Sequence, residues 1–481
     1  MEVAADAAAS AAGRHTAWML INLLARQAAV VDRVTVVCPD GVPLHGRVVA
    51  LASRDLDFGS ALLEGAQAIG SVPVERDAQA AKGSLLLIVG PGPPITGALR
   101  VWGERAWGGV SGREVMSADP ESRLPLGPYA AACLASAHVF KHVRMAEGRS
   151  VLPCAAFYSL WSFAASDAPP SDPSATGPHD VSMPVDVVVA GTGAVGSAWL
   201  HAIWATPGLT GRAIIADADK DGVDLSNLNR CVIFGHGSIG RWKASEAKRV
   251  CSDADVELVP YDGPVGDVDD RPPLLVSAVD MNTSREAVQA LYPAQILSAS
   301  TDGMRAELLR CDPLAGAPCI RCFNRPEADV PDEDLRRRFL AAVPERQREL
   351  ADASGQTIEE AIHWATEGTC GYASDRLMDR MRAAEHGTGA FAVGFASVMA
   401  GAMLAAQTLK EGAGDGPLTG IVSRAVMTFV DPLALTNAPR AYRRDDSCPM
   451  CKPGTIEHQI WVARYEEHLR TGEGGWNDRA A

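Results

Sequence analysis

Neither a long apolar run nor an excess of positive charge is present in the sequence. No stretch of apolar residues approaches the roughly 18 that a membrane-spanning helix needs, so we expect no transmembrane segment. Lys and Arg number 44 against 59 Asp and Glu, and this net charge of −15 argues against nucleic acid or an anionic membrane surface as the main partner. The N-terminal stretch MEVAADAAAS lacks the basic region of a secretory signal, which favours a cytoplasmic location.

The composition and the cysteines restrict the class of protein further. Of the 481 residues 47% are hydrophobic and 21% charged, which is typical of folded globular proteins and excludes a disordered or fibrous chain. This length predicts two to four domains. The 11 cysteines are an odd number, and four of them form two CxxC pairs. This pattern favours a reducing compartment and a metal site over a disulfide scaffold.

A linker divides the chain into two α/β parts. Residues 166–182 are rich in Pro, Ser and Asp and carry no apolar period, which predicts the linker. After it, the stretch Val185–Ala190 predicts a buried strand, because β-branched residues follow one another without alternation. A glycine loop, an apolar helix and two more buried strands, ending near Asp217 and Asp280, come next. This order predicts a doubly wound parallel sheet.

The first part resembles the second in its order of apolar elements. The stretches that begin at Gly13, Ser84 and Gly127 are similar to those that begin at Gly196, Pro273 and Gly389. The first part lacks the glycine loop, and the second contains an additional polar, helical stretch at residues 325–386. The sequence therefore predicts a degenerate and a complete copy of one domain. Generic hydrophobic patterning shared by two unrelated α/β domains remains the alternative.

The glycine loop introduces the residues that carry chemistry. Gly191-Thr-Gly193-Ala-Val-Gly196 follows a predicted strand and opens a helix, where glycines let the backbone approach a phosphate and the helix N-terminus favours an anion. Alone, this loop suggests a dehydrogenase that binds a dinucleotide. An Asn and two cations farther along the chain suit a nucleoside triphosphate instead: Asn227, Arg230 and Lys243. Asp280 follows a strand and is a reasonable ligand for Mg²⁺.

In this order and at this spacing, the glycine loop, the acidic loop, SNLNR, IGRWK and D-x-N-x-x-R resemble the ThiF/MoeB/ubiquitin-activating enzyme superfamily. The resemblance is greatest to bacterial Bil-type enzymes, which have an inactive and an active adenylation half. It implies two ThiF-type, doubly wound Rossmann-like domains that form a pseudo-dimer, with a helical cysteine insert and a zinc knuckle. The implied divisions are an inactive domain at 1–165, an active domain at 183–324 and 387–452, the insert at 325–386 and a tail at 453–481.

The resemblance also implies roles for residues. It places Gly191, Gly193, Gly196, Asn227, Arg230 and Lys243 around the phosphates of ATP, and Asp280 with Mg²⁺. Two features depart from the family pattern. Cys231 stands where the family usually has Gln, and the acidic loop is longer than usual. Asp217 and Asp219 are therefore both candidates for binding the ribose, and Asp217 is favoured as the first acid after the strand.

Three further sites follow from the cysteines and from the first helix. Zn²⁺ takes four thiolates, and the pairs Cys319/Cys322 and Cys448/Cys451 supply four, so the sequence predicts a structural zinc site that the resemblance also implies. Four unrelated thiols are the alternative. Cys370 lies between small residues ahead of a predicted helix, whose N-terminus would lower the pKa of the thiol. The resemblance places a thioester-forming cysteine in this region, and an arginine that reaches the γ-phosphate at the position of Arg14.

The expected function is activation of a ubiquitin-like protein. ATP would adenylate its C-terminal glycine, Cys370 would take the acyl group as a thioester, and a conjugating enzyme would receive it. Three alternatives remain: an activator of a sulfur-carrier protein without thioester transfer, a scaffold without activity, and an oxidoreductase that binds NAD. The expected cofactors are ATP, Mg²⁺ and a structural Zn²⁺.

Overall fold

The computed structural model divides the chain into two compact units, residues 1–324 with 392–481 and residues 325–391. It describes residues 1–79, 85–144, 155–269, 273–324, 332–354, 356–367, 393–414, 416, 418–419 and 422–465. None of the helices in these ranges is both long enough and apolar enough to span a membrane.

The first half of the larger unit, residues 1–182, is a mixed sheet with helices. Its strands are β1 (Glu2–Val3), β2 (Val34–Val36), β3 (Val74–Arg76), β4 (Leu86–Val89), β5 (Ala98–Glu104), β6 (Trp107–Ser111), β7 (Ala155–Ser159) and β8 (Ala165–Ser166). Its helices are α1 (Ala5–Ala9), α2 (Ala11–Leu24), α3 (Phe58–Ile69), α4 (Leu126–Arg144) and α5 (Pro173–Thr176).

The sheet of the first half is parallel at one end and antiparallel at the other. Six strands lie in the order β1-β4-β5-β6-β7-β8, parallel from β1 to β5 and antiparallel from β5 to β8. β2 pairs in parallel with β3, and two hydrogen bonds join it to the β1 side: Val3 N to Val37 O at 2.8 Å and Val37 N to Met1 O at 2.9 Å. The complete order is therefore β3-β2-β1-β4-β5-β6-β7-β8.

The second half begins at residue 183. Its strands are β9 (Met183–Pro184), β10 (Val187–Ala190), β11 (Leu209–Thr210), β12 (Arg212–Ala216), β13 (Glu257–Tyr261), β14 (Leu274–Ser277), β15 (Gln295–Asp302), β16 (Arg305–Cys311), β17 (Val422–Thr428) and β18 (Arg440–Ala441). The helices that follow in the chain are α6 (Ala194–Ala205), α7 (Lys243–Val250), α8 (Asn282–Gln289), α9 (Ile320–Phe323), α10 (Asp332–Ala341), α11 (Pro344–Ser354), α12 (Ile358–Glu367), α13 (Gly394–Ala413) and α14 (Ile456–Arg464). Short 3₁₀ turns lie at Leu225–Asn227, His236–Ser238, Val265–Asp267 and Leu435–Asn437.

The second sheet has the same strand order as the first. It runs β13-β12-β10-β14-β15-β16-β17-β18, parallel as far as β15 and antiparallel from there on. β10 is buried along its whole length and lies between β12 and β14, so the chain leaves it first to one side and later to the other. This reversal leaves a crevice at the carboxyl end of β10, where open α/β sheets bind ligands.

Two buried lysines join the halves in a reciprocal manner. Lys141, near the end of α4, donates to the carbonyl oxygen of Phe429 at 2.7 Å, immediately after β17. Lys410, near the end of α13, donates to the carbonyl oxygens of Leu160 at 3.1 Å and Trp161 at 2.8 Å, immediately after β7. Helices α4 and α13 pack on each other, and each connects the equivalent strands of its own sheet. The two lysines thus make equivalent contacts from each half to the other.

The residues predicted as a linker pack on the first half. Asp172 caps α5 by accepting a hydrogen bond from Ser174 N at 2.9 Å, and a proline stands in the first turn, a common arrangement at helix starts. Ala106 N donates to the carbonyl oxygen of Thr176 at 3.0 Å. This segment therefore extends the first half instead of spanning solvent.

The described part of the smaller unit contains α10, α11 and α12. These helices agree with the helical pattern expected before residue 368. They bury a small core in which the rings of Phe339 and Trp364 meet edge to face at 6.1 Å, beside Leu335 and Leu350.

Candidate nucleotide site and cysteine cluster

The glycine loop lies between the carboxyl end of β10 and α6. Gly191 has a φ of +91°, which glycine adopts without strain. A Cβ on Gly196 would stand 2.0 Å from the carbonyl oxygen of Gly191, so only glycine permits this turn. A Cβ on Gly193 would meet nothing within 4 Å, and no side chain caps the start of α6. The loop therefore offers open space in front of a helix N-terminus, which attracts an anion.

Asp217 ties the glycine loop to the end of β12. Its buried carboxylate accepts hydrogen bonds from the backbone N and the hydroxyl of Thr192, both at 2.6 Å, and from Asp219 N at 3.0 Å. Asp219 is more exposed and forms an ion pair with Lys243. Both candidate acids therefore lie beside the loop, but Asp217 contacts the loop itself.

Lys243 opens α7 with its side chain 9% exposed. Burial lowers the pKa of this ammonium group, but the hydrogen bond to Asp219 and the charges of Asp217 and Asp219 raise it more, so the pKa lies above its usual value. The structure therefore places a permanent positive charge beside the two acids.

Residues 225–234, here called the SNLNR segment, bring a second cation. The side-chain oxygen of Asn227 accepts a hydrogen bond from Asp224 N at 3.1 Å and so shapes the turn. Arg230 donates to the carbonyl oxygen of Ser226 at 2.8 Å and to the side-chain oxygen of Asn229 at 2.9 Å, both within the segment.

Cys231, which replaces the usual glutamine, is buried beside these cations. Burial raises the pKa of its thiol, and the charges of Arg230, Arg26 and Lys243 oppose that rise. Arg230 adjoins Cys231 in the chain and so lies near this sulfur. Hydrogen bonds and an ion pair bring Asp217, Asp219 and Lys243 together beside the glycine loop.

The end of β14 lies next to the glycine loop. Ala278 N donates to the carbonyl oxygen of Ala190 at 2.9 Å, and Asp280 follows two residues later with an exposed side chain. Arg285, on α8, is half-buried and donates to the side-chain oxygen of Asn282 at 2.8 Å. Burial lowers the pKa of Arg285, and the negative charge of Asp280 opposes this shift. An exposed carboxylate at this edge suits a magnesium ion that also binds phosphate oxygens.

Arg14 is bound to its own segment. It is 6% exposed and donates to the carbonyl oxygens of Ala9 at 2.6 Å and Ala8 at 3.3 Å. In the first half α1 occupies the place of the glycine loop, and a Cβ on Gly13 would lie 2.1 Å from the carbonyl oxygen of Ala7. A role of Arg14 at a phosphate stays a prediction.

The four predicted metal ligands form one cluster. Cys319 and Cys322 come from the start of α9, and Cys448 and Cys451 from the loop before α14. Their sulfur atoms all lie within 4.8 Å of one another, and three pairs are 3.4–3.8 Å apart. Four thiolates at about 2.3 Å from a tetrahedral Zn²⁺ are about 3.8 Å apart, so the cluster fits this ion. The four cysteines thus form a cluster as predicted, and the zinc itself stays a prediction.

Cys370 lies outside the described residues. The last described helix before it, α12, ends at Glu367, and its His363 is exposed and 3.6 Å from the Glu367 carboxylate. The role of Cys370 as a nucleophile stays a prediction.

The sequence analysis did not predict three contacts around the site. Thr192 binds Asp217 through its hydroxyl, and Asn22 and Arg26 of the first half reach the SNLNR segment. The sequence does contain a signal for Asn22 and Arg26. They stand four residues apart at the end of a helix that is otherwise apolar from Ala17 on. Polar residues at this spacing share one face of a helix.

Comparison with known proteins gives one curated relative and several solved structures. The relative is an uncharacterised Sinorhizobium fredii protein, y4jF, 27% identical in an alignment 355 positions long that covers 65% of this chain and 64% of the relative. The chain thus spans less than two thirds of its length. E. coli MccB solved with MccA-N7isoASN is 16% identical, with a TM-score of 0.39 over 56% of this chain and 67% of MccB. MccB solved with ATP is 14% identical, with a TM-score of 0.38 over 56% and 66%.

The family is decided by a sequence match. Because both TM-scores lie below 0.5, the MccB structures do not contribute to the assignment. A sequence model of the ThiF family matches residues 183–449, which is more than half of the chain and contains the glycine loop, the SNLNR segment and three of the four clustered cysteines. The chain therefore belongs to the ThiF family.

Proposed function

We propose that the second half binds Mg·ATP and adenylates the C-terminal glycine of a ubiquitin-like protein. The observation that carries this proposal is the charge beside the glycine loop. Lys243 pairs with Asp219, which contacts Asp217. Arg230 acts on the buried Cys231 together with Lys243. An enzyme that binds NAD needs an acid for the ribose but no such pair of cations. A triphosphate, whose charge shifts during transfer, needs both.

Each group has a defined task in the proposed reaction. The N-terminus of α6 and the glycine loop bind phosphate oxygens, Arg230 and Lys243 neutralise their charge, and Asp280 binds Mg²⁺. A carboxylate oxygen of the substrate attacks the α-phosphorus, the bond to the β-phosphate bridging oxygen breaks, and pyrophosphate leaves. The acyl-adenylate is reactive because AMP is a good leaving group, whereas a free carboxylate would have to expel an oxide ion.

We propose that the first half is a degenerate adenylation domain, so that the chain is a pseudo-dimer. Three observations support this proposal. The two sheets share one strand order, Lys141 and Lys410 make equivalent contacts across the halves, and α1 fills the place of the glycine loop. A scaffold without activity is disfavoured because the second half retains its cations and Asp280.

The proposal extends to a thioester step. The Cys370 thiolate would attack the acyl carbon, form a thioester and release AMP, and a conjugating-enzyme cysteine would then take the acyl group. In the alternative, a sulfur-carrier protein is adenylated and passed to a sulfur donor, so no thioester forms on this chain.

The test combines products and mass. The full chain is incubated with Mg·ATP and a ubiquitin-like protein that ends in glycine, and AMP, pyrophosphate and the intact mass are measured. AMP and pyrophosphate that depend on the terminal glycine are expected. NAD binding in the absence of ATP binding would instead support the oxidoreductase, and binding of neither nucleotide would support the scaffold.

Cys370→Ala is expected to abolish the thioester but not the adenylate. Intact mass should show an adduct that a thiol reductant removes from the wild type and that is missing in the variant, while AMP forms in both on acid quench. Cys311→Ala, which removes a buried thiol on β16, is the matched control and should keep the adduct. An adduct that persists in Cys370→Ala, or AMP without an adduct in either protein, would contradict the thioester step and favour the sulfur-carrier alternative.

Asp217→Asn is expected to weaken ATP binding about 10- to 100-fold, the effect of losing hydrogen bonds to a charged group. The ribose acid is identified by 3′-deoxy-ATP. If Asp217 binds the ribose, the wild type should prefer ATP over 3′-deoxy-ATP and the variant should not. Asp219→Asn, the control, should retain this preference. If instead only Asp219→Asn loses it, the assignment reverses.

A further inference from the structure

A residue of the first half holds the SNLNR segment of the second. Arg26 follows the last turn of α2 and is 4% exposed. Its guanidinium donates to the carbonyl oxygens of Phe234 at 2.9 Å, Val232 at 3.2 Å and Leu228. One side chain therefore holds the segment at three points of its backbone.

Asn22 orients this guanidinium. It lies one turn earlier on α2 and is fully buried. Its side-chain oxygen accepts a hydrogen bond from Arg26 Nε at 2.7 Å, and its side-chain nitrogen donates to the carbonyl oxygen of Val232 at 3.0 Å. Burial lowers the pKa of Arg26 to about 10, so the group is charged at neutral pH and carbonyl dipoles stabilise the charge. We call these two residues the Asn22–Arg26 pair.

The carbonyl groups that they hold accept no backbone hydrogen bond within the described part of the chain. Leu228, Val232 and Phe234 are buried, and residues 228–235 form neither helix nor strand. Buried carbonyl groups without a partner are unfavourable. Loss of Arg26 would therefore leave the buried carbonyl groups of Leu228 and Phe234 unsatisfied, while Asn22 would still bind that of Val232. This part of the chain would then be freer to move.

The position of Arg230 depends on the same backbone. Within the described residues its hydrogen bonds go to Ser226 and Asn229, inside the segment, and so do not fix it relative to the glycine loop. On another side the segment meets the start of α13, where a Cβ on Gly394 would lie 3.3 Å from the carbonyl oxygen of Asn229. The position of Arg230 thus depends on what this backbone packs against, and the Asn22–Arg26 pair binds it by hydrogen bonds from the first half.

We propose that Arg26, oriented by Asn22, is a positioning residue that sets the place of Arg230 for ATP, so that the first half takes part in nucleotide binding by the second. The inference rests on the proposed adenylation function. It gives the first half a role in nucleotide binding, although in that half α1 stands at the position of the glycine loop.

The test compares Arg26→Met with Lys141→Met. Lys141 is an equally buried cation that also crosses the halves and binds backbone carbonyls, but at Phe429 and Val430. Both variants should melt at a lower temperature than the wild type. Only Arg26→Met should raise the Kd and KM for ATP, by about 10-fold or more, with a smaller effect on kcat at saturating ATP. Arg26→Lys, which keeps the charge, should recover part of the affinity.

Hydrogen exchange gives a readout that does not depend on activity. In the unliganded protein, amides of residues 225–235 should exchange faster in Arg26→Met and unchanged in Lys141→Met. Should Arg26→Met fail to fold, Asn22→Leu, which leaves the cation in place, should show the same two effects more weakly.

Two results would overturn the proposal: equal weakening of ATP binding in Arg26→Met and Lys141→Met, or unchanged exchange at 225–235 in Arg26→Met. A wild type that binds no ATP would overturn the proposed function and with it the nucleotide role of Arg26. The exchange comparison would then still decide whether Arg26 holds the segment, so the two failures are distinguishable.

Discussion

Replacement of Lys243 by Met is expected to lower the rate of AMP formation about 10²–10³-fold, the usual effect of removing one preorganised donor from a developing negative charge. The side chain is nearly buried, its positive charge is stabilised by Asp219 and Asp217, and it opens α7 beside the glycine loop. When ATP binds, its phosphates provide a stronger anionic partner than Asp219. The measurement is pyrophosphate release at saturating ATP and ubiquitin-like substrate.

Lys220→Met is the control for this prediction. Lys220 is an exposed lysine of the same acidic loop, so its loss changes the net charge by the same amount without removing a group from the site. We expect its rate to stay within a factor of about two, as for most surface substitutions. The stability of Lys243→Met should change little, because Asp219 is exposed enough for water to solvate it after its partner is lost. A rate of AMP formation in Lys243→Met close to that of the wild type would contradict the assignment of Lys243 to the phosphates.

Uninterrupted apolar stretches were sufficient to locate the central strands. Val185–Ala190 was predicted and Val187–Ala190 is observed, and Asp217 follows β12 directly as expected. Strands buried on both faces produce this pattern, and the polar residues at their carboxyl ends meet at one edge of a parallel sheet. The fold of the second half and the neighbourhood of Asp217, Arg230 and Lys243 were therefore accessible from the sequence.

Contacts between the halves could not be predicted from the apolar stretches of the sequence. Lys141 and Lys410 are fully buried, whereas lysine is among the residues most often exposed, so their sequence context predicts surface positions. Arg26 belongs to the same group: it satisfies carbonyl groups more than 200 positions away in the chain, an arrangement that exists only after the halves have docked. Side-chain partners of this kind are set by tertiary packing. The four-residue spacing of Asn22 and Arg26 indicates a shared helix face but does not indicate what packs against it.

Removal of the metal is expected to destabilise the region around α14. Structural zinc contributes on the order of 10 kcal/mol to the folding of small domains, and the four thiolates bring together two segments distant in sequence. α14 packs beside the cluster through Trp461, which donates to the carbonyl oxygen of Pro293 at 2.6 Å. We expect the purified protein to contain one zinc per chain, and Cys451→Ser to lose it and to melt at a clearly lower temperature. Zinc content and thermal unfolding of the same samples are the measurements.

Cys311→Ala separates the loss of a metal ligand from the loss of a buried thiol. Cys311 lies at the end of β16, is as buried as Cys451, and is not part of the cluster. It should keep the zinc and lose only the stability of a small cavity, about 1 kcal/mol per missing methyl-sized group. Because the cluster and the glycine loop are formed by different segments, Cys451→Ser assayed below its melting temperature should keep the wild-type KM for ATP. Wild-type protein without zinc, or a melting temperature that a chelator leaves unchanged, would mean that the four cysteines stabilise the fold as packed thiols.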